Sequence, residues 1–172
     1  MLNTLNRLID GFSWCATQLA SVAVAVLTLS MVYEVFARYL FDAPTVWAFD
    51  IAYMANGAVF VLGVAYVLRE DAHIRIDVLR NRLPARLNGV VQGVAYLLIL
   101  APFFGMLSWI AATHTWRAWV RHEVETVSPW APFMWPFYLM IAIGLIALTL
   151  QLVAEGLRGF SGQSLNAKKE HA

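Results

Sequence analysis

Four stretches without Asp, Glu, Lys or Arg divide this chain of 172 residues: 11–33, 51–68, 87–116 (with His114 near its end) and 126–154. About 20 mostly apolar residues in a helix cross a hydrocarbon core of roughly 30 Å. Inside lipid the backbone must satisfy its own hydrogen bonds, which favours helices for runs of this length. The pattern predicts an all-α membrane protein with four transmembrane helices at about 11–37, 46–68, 85–122 and 131–154, in one domain covering 1–155. The second run is short by itself, and Val46 to Asp50 extend it into the headgroup layer. The first is too long for the apolar part of a signal peptide and is read as a retained helix. Charged residues make up 13% of the chain, against about 25% in soluble domains.

Orientation follows from the basic residues. Of the twelve, Arg7, the five arginines between helices 2 and 3, and Arg158, Lys168 and Lys169 fall on one side; Arg38, Arg117 and Arg121 fall on the other. Both termini are therefore expected to be cytoplasmic. The tail, 156–172, is rich in Gly, Ser and Lys and is expected to be disordered. A net charge of +1 gives no indication of nucleic acid. Cys15, the single cysteine, lies in an apolar run and reads as a small buried hydrophobe.

The distinctive polar residues gather at the two ends of helix 2. At the outer end stand Arg38, Asp42, Trp47 and Asp50. Glu34 and Arg38 are four apart, share a helical face and can pair. Pro44 prevents the first helix from running on, and Trp47 falls at headgroup depth. Arg38 and Asp50 either pair across the short hairpin or anchor separately at the interface. At the inner end stand Arg69, His73, Arg75 and Asp77, followed by Arg80, Arg82 and Arg86 interleaved with apolar residues. That alternation suits an amphipathic segment on the cytoplasmic surface, with arginines toward anionic headgroups. A solvated positive-inside loop is the plainer reading.

Within helix 2, Ala48, Ala52, Ala55 and Val59 form one stripe, and Asn56 and Gly63 another. Small residues let membrane helices approach closely, and an asparagine amide can bond across to a neighbour. Either stripe suits internal packing or contact with another subunit. Helix 3 is long enough to tilt or project beyond the bilayer, and Pro102 is expected to kink it.

Transporters of charged solutes place ionisable groups near the bilayer midplane. Here the central part of each run holds no Asp, Glu, Lys, Arg or His. A self-sufficient proton-coupled exporter would need Glu34 at mid-membrane, whereas it lies near a helix end. A redox-complex anchor would need histidines within helices. A non-transport scaffold with the same four-helix plan is a third alternative. No metal-ligand spacing, phosphate loop or nucleophile–base pairing is present, so neither a cofactor nor an enzymatic activity is expected.

The residues taken in order carry a resemblance. Arg38-Tyr39, Trp47 with Asp50 three residues on, Gly63, Tyr66 to Arg69, and His73-Ile74-Arg75-Ile76-Asp77 together resemble the small membrane subunit of tripartite ATP-independent periplasmic (TRAP) transporters. Ser128-Pro129-Trp130 and Pro136 to Gly144 look like that family's approach to its fourth helix. The resemblance covers roughly 10–155. Asp50 departs from it, since the family more often carries glutamate there.

The resemblance implies an accessory scaffold subunit in the bacterial inner membrane. It would support a large elevator-type membrane subunit, which imports organic acids from a periplasmic solute-binding protein using an ion gradient. The small subunit would bind no solute itself. Arg38, Trp47, Asp50, Asn56, Gly63, Arg69, His73, Arg75 and Asp77 are the candidate contacts with the large subunit or with membrane lipids.

Overall fold

The computed structural model of the chain describes residues 2–69, 90–91 and 93–161. In chain order the described elements are α1 (Leu2–Leu40), α2 (Ala48–Arg69), a π-helical turn (Ala95–Leu100) that leads directly into α3 (Ala101–Arg121), and α4 (Trp135–Ser161). Three apolar spans are long enough to cross a membrane by length and composition: Trp14–Leu40, Ala95–Arg121 and Trp135–Leu157. Ala48–Val64 is a shorter apolar helix. No β-strand occurs among the described residues; Val124 and Phe133 form an isolated antiparallel bridge. The amphipathic segment expected after Arg69 lies outside the described residues.

The helices are not arranged as a symmetrical bundle. α2 and α4 pack on each other, α1 packs mainly on α2, and α3 packs on α4. The α1 seam is built from small side chains. Ala16, Ala20, Ala23, Ser30, Glu34 and Ala37 are buried, with Leu27 packed against the core between them. Their spacing alternates four and three residues, the period that keeps one seam facing a partner helix. Ala48, Ala52 and Ala55 are buried on α2, and Val59 packs against the core. This alanine stripe is internal.

The closest backbone approach between α2 and α4 depends on Gly144. A Cβ at Gly144 would lie 2.7 Å from Val61 Cγ1 and 2.8 Å from the Val61 carbonyl carbon and oxygen. Backbone cannot retreat as a side chain can, so α4 approaches α2 only because position 144 has no side chain. Between α3 and α4, the Ser108 and Thr149 hydroxyls lie 3.0 Å apart. Each also reaches its own helix, Ser108 Oγ to the Phe104 carbonyl and Thr149 Oγ1 to the Leu145 carbonyl, at 2.8 Å.

The irregularity expected at Pro102 takes the form of a π-turn just before it. Proline lacks the N–H that would bond four residues back, and its ring crowds that carbonyl. The chain widens instead, and the Ala101 N–H bonds to the Tyr96 carbonyl, five residues back. α4 continues through Gly156 to Ser161, past the helix end expected near 154.

Cys15 corrects an expectation: it is exposed rather than buried. The reason is its register. Ala16 occupies the seam position, and the adjacent Cys15 points away from it.

Candidate functional site

The polar residues where α1 turns into α2 form two separate connections. The first is centred on Glu34, which is 8% exposed. Its Oε1 accepts from Arg38 Nε at 2.9 Å and also from Arg38 Nη2. Its Oε2 accepts from the Thr45 N–H at 2.9 Å and from the Thr45 hydroxyl. The Glu34–Arg38 pairing expected from their spacing is present. The four contacts hold the α1–α2 turn against the last turns of α1. The Ala43 N–H adds a bond to the Ala37 carbonyl at 3.0 Å. Asp42, between them, adopts a left-handed conformation with φ of 50°, which aspartate tolerates better than most residues.

The second connection joins α2 to the loop before α4. Asp50 accepts from the Ser128 hydroxyl, and Ser128 Oγ in turn accepts from the Trp130 N–H at 3.2 Å. Arg38 and Asp50 therefore do not pair with each other. Glu34 lies on the same face of the same helix as Arg38 and captures it with little loss of side-chain freedom. Asp50 is turned toward the loop and finds Ser128 there.

That loop is held mainly by its own backbone. The Glu125 N–H donates to the Pro132 carbonyl at 2.9 Å, and the Met134 N–H donates to the Glu123 carbonyl at 3.0 Å. His122 ends α3 with φ of 51°, a position more often filled by glycine. The Glu123 N–H then closes on the Ala118 carbonyl at 3.0 Å.

Trp47 stacks on Tyr33 with ring centroids 5.4 Å apart. Beside it, Val26, Leu29, Tyr33, Phe36, Trp47 and Ile51 contribute to an apolar groove of about 580 Å3 between α1 and α2.

Asn56 and Gly63 lie on an outward stripe of α2. Phe49, Tyr53, Asn56, Phe60 and Val67 are exposed, and Gly63 falls on the same stripe. Nothing lies within 4 Å of where a Gly63 Cβ would be. The two stripes of α2 thus separate: the alanines pack inside the chain, and the stripe of Asn56 and Gly63 is open. Arg69 ends α2. His73, Arg75 and Asp77 lie outside the described residues. The arrangement as a whole ties helices together, and among the described residues no group of three potential metal ligands occurs.

Two residues matter more than their sequence context suggests. Thr45 supplies half of the Glu34 contacts. Its local signal is a hydroxyl residue directly after Pro44 in a turn ahead of a helix, a place where such side chains commonly satisfy backbone ends. Ser128 had no local signal for its bond, because its partner is 78 positions away.

Comparison with known proteins identifies a family. The family described as tripartite ATP-independent periplasmic transporters, DctQ component, matches residues 27–162. The C4-dicarboxylate TRAP transporter small permease protein DctQ of Vibrio cholerae is 29% identical over 97 residues, covering 56% of this chain and 41% of that protein. The sialic acid TRAP transporter permease protein SiaT of Haemophilus influenzae is 24% identical over 74 residues, covering 43% of this chain and 12% of that protein. The matched part is therefore less than half the length of either relative. No solved structure matched the chain. The family match extends over most of the chain and includes the last part of α1 with α2, α3 and α4; the protein belongs to the DctQ component family of tripartite ATP-independent periplasmic transporters, a multi-pass membrane transport component and not an enzyme.

Proposed function

We propose that this chain is the small scaffold subunit of a secondary TRAP transporter that imports organic acids, and that it binds no solute itself. The observation that carries this reading is the engagement of both outer-end carboxylates. Glu34 is enclosed by Arg38 and Thr45, and Asp50 is bonded to Ser128. Both carboxylates hold the structure together, which argues against Glu34 as a proton-coupling acid. The relatives' names, one for C4-dicarboxylates and the other for sialic acid, support an acidic solute for the assembled transporter.

In this reading the chain crosses the inner membrane four times, with both termini cytoplasmic. α2 has 22 residues, about 33 Å at 1.5 Å per residue, enough for a crossing. A large elevator-type subunit carries the solute, an ion gradient drives it, and a periplasmic solute-binding protein delivers the acid. Arg69, His73, Arg75 and Asp77 belong to a cytoplasmic-surface segment that anchors the pair to anionic lipid. The apolar groove beside Trp47 supports lipid contact in the outer leaflet.

Co-purification tests the proposal. The tagged chain, gently extracted from membranes that also express the large subunit of the same transporter, is expected to bring that subunit down at a fixed stoichiometry. A chain that purifies alone, stable and monodisperse, overturns the scaffold reading.

A further inference from the structure

We infer that the groove between α3 and α4 is a phospholipid site: one acyl chain lies in the groove, and the phosphate rests on Arg117 and Arg121 at its mouth. The inference requires only that the chain sits in a membrane. It does not depend on the scaffold reading.

The groove comes first. Leu107, Ile110, Ala111, Ile141 and Leu145 line it, His114 and Tyr138 stand at the end nearer the α3–α4 loop, and its volume is about 270 Å3. Leu107 and His114 are two turns apart, about 10 Å. A helix of 10–12 Å diameter would fill about 1,000 Å3 over that length. The groove therefore accepts an alkyl chain or a side chain but not a helix. Its walls are apolar up to the rings of His114 and Tyr138, whose centroids are 4.7 Å apart. Among the described residues neither His114 nor the Tyr138 hydroxyl has a hydrogen-bond partner.

Register supplies the charge. Leu107, Ile110, His114, Arg117 and Arg121 recur at intervals of three and four residues, so both arginines continue the groove's face of α3. Cα–Cβ bonds tilt toward the N-terminus of a helix, which aims both side chains back toward His114. Both arginines are exposed. Arg38, at the α1–α2 turn, is engaged by Glu34, whereas Arg117 and Arg121 form no ion pair among the described residues. They are open to an anion, and arginine binds phosphate through charge-assisted hydrogen bonds.

Depth fits the same ligand. Trp116 and Trp119, on either side of Arg117, are exposed, and tryptophan gathers at headgroup level. The cations thus lie where phosphates lie, and the groove lies where tails lie. A protein surface would bring a helix too wide for the groove. One lipid supplies the anion and the thin apolar tail in a single molecule. Glu123 and Glu125 follow in the loop and balance the two arginines, so a zwitterionic headgroup suits the site better than a purely anionic one.

The test uses the full chain, purified in detergent and stripped of lipid. It is titrated with dioleoylphosphatidylethanolamine or with dioleoylglycerol, which has the same tails and no phosphate, and bound lipid is counted by native mass spectrometry. One phosphatidylethanolamine per chain is expected to bind, about tenfold more tightly than dioleoylglycerol. Arg117→Gln with Arg121→Gln is expected to weaken it about ten- to thirtyfold, from what each arginine contributes near a membrane surface. Lys168→Gln with Lys169→Gln removes the same charge and is expected to leave binding unchanged. Ala111→Phe, which fills the groove and keeps both arginines, is expected to abolish binding. The arginines are exposed, so the test does not hang on whether Ala111→Phe folds. Equal binding of the two lipids, or binding that survives removal of the arginines, overturns the inference. In bacterial membranes, a photoreactive benzoylphenylalanine at position 110 is expected to give an adduct one phospholipid heavier than the chain. An adduct with another protein from that position would place a protein in the groove and overturn the inference, leaving the scaffold reading intact.

Discussion

The two hairpins of this protein solve the same problem in different ways. α1 and α2 meet through alanines, and their turn is secured by side chains: one carboxylate, one arginine and one threonine. α3 and α4 meet through larger residues and a hydroxyl pair, and the loop between them is secured chiefly by main-chain bonds. A turn fixed by a few side chains is vulnerable to single substitutions. A loop fixed by backbone is not, because most substitutions leave its N–H and C=O groups in place. The two hairpins then share one close crossing, at Gly144 and Val61.

The contrast orders the expected effects of mutation. Gly144→Leu strikes the crossing itself and should be the most damaging. Forcing a side chain against the Val61 backbone is expected to destabilise by about 3 kcal/mol or to prevent folding, read as loss of a thermal transition in detergent. Glu34→Gln leaves Arg38 without its charge partner and should loosen the first hairpin. Faster proteolysis at residues 41–47, with no change at residues 123–133, is the result that would sharpen the comparison. Equal cleavage at both loops would break it. Asp50→Ala, Ser128→Ala and the double variant form a cycle across the link between the hairpins. A coupling of about 1.5 kcal/mol is expected, typical of a hydrogen bond to a charged group, and simple additivity would remove the link. The smallest effect belongs to Ser108→Ala with Thr149→Val, where a coupling of about 0.6 kcal/mol is the usual size for such pairs in membrane proteins.

Much of the fold was legible in the sequence, because apolar run length and charge placement are strong local signals. The Glu34–Arg38 pair was legible for the same reason, as four-residue spacing puts both on one face. Pro102 announced a disturbance in the third run but not its form, since a kink and a π-turn answer the same missing N–H. Two features were hidden. Asp50 and Ser128 are far apart in sequence, and nothing near either selects the other. His122 adopts a backbone conformation that sequence reading reserves for glycine. On α2 the two stripes were visible as patterns, but only the packing of α1 and α4 decides which is covered. Cys15 shows the limit of reasoning from an apolar run: the run defines membrane depth, while register defines burial.

The length of α1 has a consequence for the surrounding lipid. Its apolar part, Trp14–Leu40, has 27 residues, about 40 Å of helix against roughly 30 Å of hydrocarbon. Fully immersed, it must lean by about 40°, near the upper end of observed tilts. Because the alanine seam carries α2 with it, a thicker membrane would raise both helices together and a thinner one would lower them. Bilayer thickness thereby sets the angle of the whole first hairpin.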